Sequence, residues 1–463
     1  MTSLNLPIAI VGNGGAAAEA ILALRANGFP SEIHLFADNG HGPYNPMLGT
    51  YVVSGKIPAE QAFPFGDART FYEANGVIAH LNSPVAHLDA ETRELTTASG
   101  ETYRYDDCLV SSGARPAVPP IPGLREALAP GSGAAPGERR VFTLQTLEDA
   151  LALKQTVDHL LAGAAAARAM PPAAARDLRA AVVGASFAGV KIAAVLHELG
   201  FRVSLIEREA SILPLAAHPE AARLMETSLL SEGYELRLGA ALAGVAVGAP
   251  ETATAANGAS RRIRLDFGAL PGAADPGGAG GTACEDSAAQ DEVDLLVACT
   301  GNRPALGFLT PGQVDIGTGI LVDEQLRSSI PTLRAAGDVA QGKNLLSGRR
   351  EIIGLWSNAR YQGRAAGRSM AGAPTGYPGG IPHNITHVGR MLFASMGCVD
   401  DYDEAATTHH DDSWQIRLWR EGRLVGINLL DRCLSAGVVK QAFLRTAAGA
   451  TSDLEATWTS FNA

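Results

Sequence analysis

Apolar positions in this chain come in short runs separated by glycine turns and alanine-rich stretches, the pattern of strands and helices in alternation. Leu6–Val11 is an apolar run, Gly12–Gly15 a turn, and Ala16–Ala26 an alanine- and leucine-rich helix stopped at Gly28. Ile33–Ala37 then supplies a second strand. The same order returns far downstream: a strand over Ala180–Val183, a turn over Gly184–Gly189, a helix over Val190–Leu199 capped by Gly200, and a strand over Arg202–Glu207. Two such units predict an α/β chain built from two doubly wound sheets.

Each unit is followed by a matching strand end. Cys108-Leu109-Val110-Ser111-Ser112-Gly113-Ala114-Arg115-Pro116 parallels Leu296-Val297-Ala298-Cys299-Thr300-Gly301-Asn302-Arg303-Pro304. In both, an apolar strand meets a small hydroxyl residue, a Gly, and then x-Arg-Pro. The echo occurs only twice, so it marks a duplicated plan and not a solenoid. Two segments read as insertions: Ala162–Arg179, rich in Ala and Pro, and Val247–Glu292, dense in Gly, Ala, Pro and Asp, with one strand-like patch at Arg262–Phe267. The second composition is read as a mobile surface loop. Beyond His383, strands are expected at Met391–Met396, Trp414–Trp419 and Leu424–Leu429, the last two joined at Glu421-Gly422, with a helix over Ser435–Arg445. That makes a smaller α+β unit.

Length and charge narrow the picture. A chain of 463 residues exceeds one hydrophobic core. A formal net charge of −11 leaves no basic excess for nucleic acid. No apolar run approaches a membrane span, and the Leu6–Val11 run lacks a charged leader, so a cytoplasmic protein is expected. The five cysteines (Cys108, Cys284, Cys299, Cys398, Cys433) are scattered and form no C-x-x-C pair, which suits a reducing compartment.

Gly12-Asn13-Gly14-Gly15-Ala16-Ala17 has the form G-x-G-x-x-A between a strand and a helix, the placement a dinucleotide turn requires. Gly12 permits the tight turn, Gly14 admits a pyrophosphate to the backbone, and Ala17 allows close packing. Gly15 closes the turn and Ala16 begins the helix, whose N-terminus supplies free N–H groups to the phosphates. Asp38, ending the next strand, is placed to bond an adenosine ribose, with Asn39 as competitor. The alternative is a turn serving packing alone. In the second motif, Gly184-Ala185-Ser186-Phe187-Ala188-Gly189, Ser186 replaces the middle Gly, yet it is small enough to admit a pyrophosphate. Glu207 ends the following strand, where a carboxylate accepts from a ribose 2′-hydroxyl and repels a 2′-phosphate; this favours NADH over NADPH. The neighbouring Arg208 argues the other way, and Glu207 could also be a solvated strand end.

Taken together, these motifs resemble the two-dinucleotide-fold flavoprotein reductases of the pyridine nucleotide–disulfide oxidoreductase superfamily. The chain is especially similar to ferredoxin and rubredoxin reductases and to the FAD/NADH part of assimilatory nitrite reductases. The match runs from about Pro7 to Gly372. Pro43-Tyr44-Asn45 resembles the family's element beside the flavin, which makes Asn45 a cofactor contact. Ala336-Gly337-Asp338-Val339-Ala340 resembles its second FAD motif, with Gly337 and Asp338 at the ribityl or pyrophosphate region. Leu355-Trp356, Ala359 and Gln362-Gly363-Arg364 resemble the helix near the isoalloxazine, with Trp356 as a contact. The resemblance also makes Ser112, Gly113 and Arg115 FAD contacts, sets Gly301 toward the nicotinamide, and makes Val85 a backbone clamp on adenine.

The fold implied has two Rossmann-like dinucleotide-binding domains, the FAD domain interrupted by the NAD(H) domain, plus a C-terminal α+β domain. The expected division is 1–140 and 311–380 for FAD, 141–310 for NAD(H), and 381–463 for the interface domain. The implied chemistry is hydride transfer from NADH to FAD, then electron transfer to a small iron–sulfur carrier such as a ferredoxin or rubredoxin. A homodimer is left open. Two alternatives stand beside it: an NADH oxidase or reductase of a small organic substrate, and a flavin-binding structural subunit.

The chain departs from the family at three places. No Cys lies between Asn45 and Ile57, so flavin-to-thiol chemistry is not expected. Leu48-Gly49-Thr50 stands where relatives carry Leu-Ser-Lys. Val190 and Lys191 occupy the stretch where a Glu meets the nicotinamide in relatives. Among weaker candidates, His409-His410-Asp411-Asp412 reads as a solvated turn, not a metal site, and Cys299 as a buried filler. Arg349, Arg350, Arg360, Arg364 and Arg368 could make a basic docking patch or an ordinary solvated face.

Overall fold

The computed structural model describes residues 7–129, 137–168, 177–248, 262–268, 290–374, 376–431, 433 and 436–447. Two five-stranded parallel sheets carry the architecture. The first runs, edge to edge, Leu333–Ala335, Asp107–Val110, Ile8–Val11, Ile33–Phe36 and Val77–His80. The second runs Glu235–Arg237, Arg202–Ile206, Arg179–Val183, Leu295–Ala298 and Val141–Thr143. Both are covered on two faces, so their central strands are apolar throughout: Ile8–Val11 and Leu295–Ala298 are buried at every position.

The duplication extends further than the glycine turns. Each sheet has a three-stranded antiparallel meander inserted before its later strand: Val85–Asp89, Glu94–Thr97 and Thr102–Arg104 in the first, and Ala241–Val247, Ile263–Gly268 and Gln290–Val293 in the second. The strand-like patch expected at Arg262–Phe267 is thus the middle strand of a sheet. Its neighbours show that the ends of the expected loop are ordered; 249–261 and 269–289 lie outside the described residues. The other expected insertion is corrected at its start. A helix over Leu147–Arg168 extends through alanines that favour helix as strongly as they resemble a linker. The helix after the second turn begins at Phe187, three residues before the expected Val190, because extended Ser186 is its N-cap.

Leu333–Ala335 completes the first sheet from late in the chain, and Arg334 is buried in an ion pair with Asp107 of the adjacent strand. Beside it, the helix Trp356–Met370 lies along Gly15–Ala26 at very short range. A Cβ at Gly363 would stand 2.0 Å from the Ala16 carbonyl oxygen, and one at Gly367 would stand 2.4 Å from that of Ala20. Only glycine permits this approach, which brings the late helix against the first glycine turn.

A third five-stranded sheet is antiparallel, in the order His383–Val388, Met391–Gly397, Arg423–Leu430, Ser413–Arg420 and Glu404–His410. The three expected strands are present, and the Glu421-Gly422 turn has both residues at positive φ, as a tight hairpin requires. His409 and His410 end a strand and are not in a loop; His409 packs on Trp414 at 4.2 Å. Phe393, Ile416 and Leu418 share a core with the second sheet's helices, and Phe187 stacks on Phe393. Among the described residues no helix is long and apolar enough to cross a membrane.

Gly363→Ala should lower stability by roughly 1–3 kcal/mol, the usual cost of overpacking. A thermal unfolding midpoint equal to that of the unsubstituted chain would show that the helices do not pack as described.

Candidate dinucleotide sites

The two glycine turns are built alike. Gly12 lies at φ +98°, and a Cβ there would meet the Ser111 carbonyl oxygen at 2.4 Å; Gly184 lies at φ +97°, with the Cys299 carbonyl at 2.3 Å. Each turn therefore packs on the strand end of the echoed segment. Gly14, by contrast, has open space where a Cβ would stand. It is the N-cap of its helix with no side-chain cap, so N–H groups of the first turn are left for an external acceptor. At Gly189 a Cβ would strike the Gly184 carbonyl at 1.8 Å, which explains the third glycine of the second turn. Ser186 reaches the Cys299 carbonyl only at 3.4 Å, so its hydroxyl is nearly free.

The strand-end acids differ in their surroundings. Glu207 accepts from the Ala185 N–H at 2.7 Å and from the Glu209 N–H at 3.0 Å, which fixes its carboxylate at the mouth of the second turn. Arg208 turns to Glu209 at 3.0 Å. Asp38 is exposed and paired with Arg115 at 3.1 Å, so the structure joins two residues expected at one cofactor. Asn39 and Asn13 exchange hydrogen bonds at 3.0 and 3.1 Å, so Asn39 is tied to the turn while Asp38 stays exposed. Asn13 was not anticipated; it also donates to the His41 carbonyl and so ties the turn to the following loop.

The echoed segments meet directly. Ala114–Pro116 pairs antiparallel with Asn302–Pro304, and the bonds around them are reciprocal. Ser112 Oγ donates to the Ala305 carbonyl at 2.8 Å, and Thr300 Oγ1 to the Ala117 carbonyl at 2.6 Å. The Ala305 N–H donates to the Gly113 carbonyl, and the Ala117 N–H to that of Gly301. Ser112 thus uses its hydroxyl to brace the crossing. Gly113 and Gly301 both have positive φ and open space beside them.

The other expected positions divide the same way. The Asn45 side chain caps the short helix Pro46–Leu48 by accepting from the Met47 N–H. Val85 begins its strand at a bulge, and Asn82 and Ser83 just before it donate to the carbonyls of Asn39 and Ala37, which holds Val85 at the Asp38 end. Trp356 starts the late helix, its indole nitrogen 2.8 Å from where a Gly15 Cβ would be. The Arg360 guanidinium lies 4.7 Å over its ring and is itself held, with Arg364, by the buried carboxylate of Glu19. Glu19 was missed because an acid inside an alanine helix reads as surface. Arg349 is likewise bound, to Asp401. Of the five arginines expected as a patch or a solvated face, helical i, i+4 spacing turns Arg360 and Arg364 toward the first helix.

Gly337 donates its N–H to Gln362 and presents Asp338. The Asp338 carboxylate is half-buried, and among the described residues nothing donates to it; burial raises its pKa above the ordinary carboxylate value. A half-buried acid without protein donors is free to accept from the hydroxyl groups of a bound molecule. With the open N-terminus above Gly14, that donor set fits a flavin dinucleotide. Cys299 lies buried under the second turn with its thiol pushed up to about 12, so it acts as packing.

Residues 6–363 match the family model of the pyridine nucleotide-disulphide oxidoreductases. The chain belongs to that family. It is similar to the NADH-dependent phenylglyoxylate dehydrogenase subunit epsilon of Aromatoleum evansii (27% identical, over 77% of this chain and 70% of that one). It is also similar to the rubredoxin-NAD(+) reductase of Pseudomonas putida (23%, over 92% and 96%). Against the assimilatory nitrate reductase electron transfer subunit of Bacillus subtilis it is 23% identical over 74% of its own length but only 37% of that protein. It shares its fold with putidaredoxin reductase in complex with putidaredoxin (TM-score 0.76, 20% identical, 95% and 93% covered). The same holds for the water-forming NADH oxidase of Lactobacillus brevis bound to NADH (TM-score 0.77, 19%, 95% and 90%). This family member is an FAD-dependent NAD(P)H oxidoreductase.

Gly14→Val adds bulk only in open space, so the unliganded fold should stay within about 0.5 kcal/mol of the original. FAD affinity by calorimetry should fall at least tenfold. Equal affinity would place the pyrophosphate elsewhere.

Proposed function

We propose that the chain takes hydride from NADH onto its FAD and passes the electrons singly to a small iron–sulfur protein or an iron–sulfur subunit. The observation that carries this reading is that no cysteine stands in the segment after Asn45 and that the cysteines of the two echoed segments are buried. The segment Asn45–Ile57 contains no cysteine. Cys108 and Cys299 are fully buried, with burial holding both thiols protonated. Electrons reaching the flavin must therefore leave to an external acceptor, and a flavin suits a one-electron carrier because it takes two and releases them separately.

In this reading the first turn and Asp338 hold opposite ends of FAD, with Gly113, Arg115, Val85 and Trp356 between. Gly184, Ser186, Gly189 and Glu207 hold NADH, and Gly301 faces the nicotinamide. The division at 1–140, 141–310, 311–380 and 381–463 then separates flavin, nicotinamide and interface duties, in a cytoplasmic protein. Glu207 supports NADH over NADPH, since its fixed carboxylate repels a 2′-phosphate and Arg208 is engaged by Glu209. The relatives from Pseudomonas putida and Bacillus subtilis, a rubredoxin reductase and an electron transfer subunit, support the class of acceptor.

Anaerobic mixing with NADH should bleach the flavin band. Steady turnover should then require an added ferredoxin or rubredoxin, with slow turnover on oxygen alone; rapid oxygen turnover would favour an oxidase instead. Glu207→Gln should shift the ratio of kcat/KM for NADH over NADPH toward NADPH at least tenfold, about 1.4 kcal/mol. An unmoved ratio would remove Glu207 from the ribose site.

A further inference from the structure

The segment that follows Asn45 carries no cation of its own until Lys56. That side chain is taken by Glu198 at 2.7 Å, and Lys154 nearby is taken by Asp158. One ammonium does reach the segment, and it comes from the other fold. Lys191, on the helix opened by the second glycine turn, extends to the Met47 carbonyl at 3.4 Å and lies 4.7 Å over the Tyr51 ring. No acid among the described residues forms an ion pair with it, and a carbonyl at that distance uses at most one of its three donors weakly. Burial lowers its pKa, the mark of an ammonium short of solvation. Met47 and Tyr51 are themselves half exposed, so the charge stands at an open junction between the folds and not in a packed core.

We propose that Lys191 is the charge-stabilising residue of the ring junction, its ammonium set from the nicotinamide fold to neutralise the negative charge that hydride uptake leaves on the flavin. The assignment rests on the flavin reading above. Hydride moves from nicotinamide C4 to flavin N5, leaving NAD⁺ and one added negative charge on the ring system. A partly desolvated cation without a counter-ion favours that reduced form and raises the flavin's reduction potential.

The test compares K191M, K191R and K191E as purified holoproteins. Bound FAD is read from its visible absorbance, and the midpoint potential from anaerobic titration. K191M should keep its FAD and lose about tenfold in the reduction equilibrium, close to 30 mV for a two-electron couple. K191E should fall further, and K191R should stay near the original. A K191M potential equal to the original, with full FAD, overturns the proposal. So does a variant that loses thermal stability without a shift in potential, since Lys191 would then be only a latch between folds. A parent protein that binds no FAD would instead sink the flavin reading, a separate outcome.

Discussion

The crossing of the two chain segments at Ala114–Pro116 and Asn302–Pro304 is the constraint on which the site depends. Here the chain leaves the first sheet and later returns to it, and both passages are joined in one antiparallel ribbon. Two hydroxyl donors and two backbone N–H groups are exchanged almost symmetrically across it. At about 1 kcal/mol net for each bond, the ribbon is too weak to account for the stability of either fold. Its effect is geometric. It fixes where the two glycine turns stand relative to one another.

Within that frame, duplication supplies the binding plan and the strand ends supply the differences. Gly12 and Gly184 adopt nearly the same φ and press on equivalent carbonyls, those of Ser111 and Cys299. The first turn, though, has a late helix laid against it through Gly363 and Gly367, which brings Asp338 and Trp356 to the same cleft. The second turn has no such partner and keeps its acid, Glu207, tied to its own backbone. The first turn is therefore built up from distant segments, while the second is completed within its own stretch of chain.

Much of this was legible in the sequence because backbone demands leave few choices of residue. Tight turns, close helix approach and echoed strand ends all write themselves as Gly, Ala and x-Arg-Pro. What stayed hidden depends on side-chain direction. The buried pairing of Glu19 with Arg360 and Arg364 looks, in sequence, like three surface charges. Ser112 and Asn45 sit in the expected neighbourhood, yet their side chains serve the crossing and a helix cap, because a hydroxyl or amide beside free backbone groups satisfies those first. The alanine-rich stretch from Ala162 misled for another reason: alanine is both the best helix former and a common linker residue, so composition alone does not separate the two.

Charge is the last thing the fold redistributes. The chain is acidic overall, and the cluster of arginines near the late helix gives the impression of a compensating surface. Arg360 and Arg364 are partly exposed, but both forks close on one carboxylate that is almost fully buried, so the trio carries a single net positive charge. Arg349 shares the Asp401 carboxylate with Arg420, so that trio also carries a single net positive charge. The few residual positive charges, on a molecule of net charge −11, act only over about 10 Å at ordinary salt. Two of the arginines on the late helix are thus spent on fixing that helix against the first one, a cost in free surface charge that the close glycine packing of the pair requires.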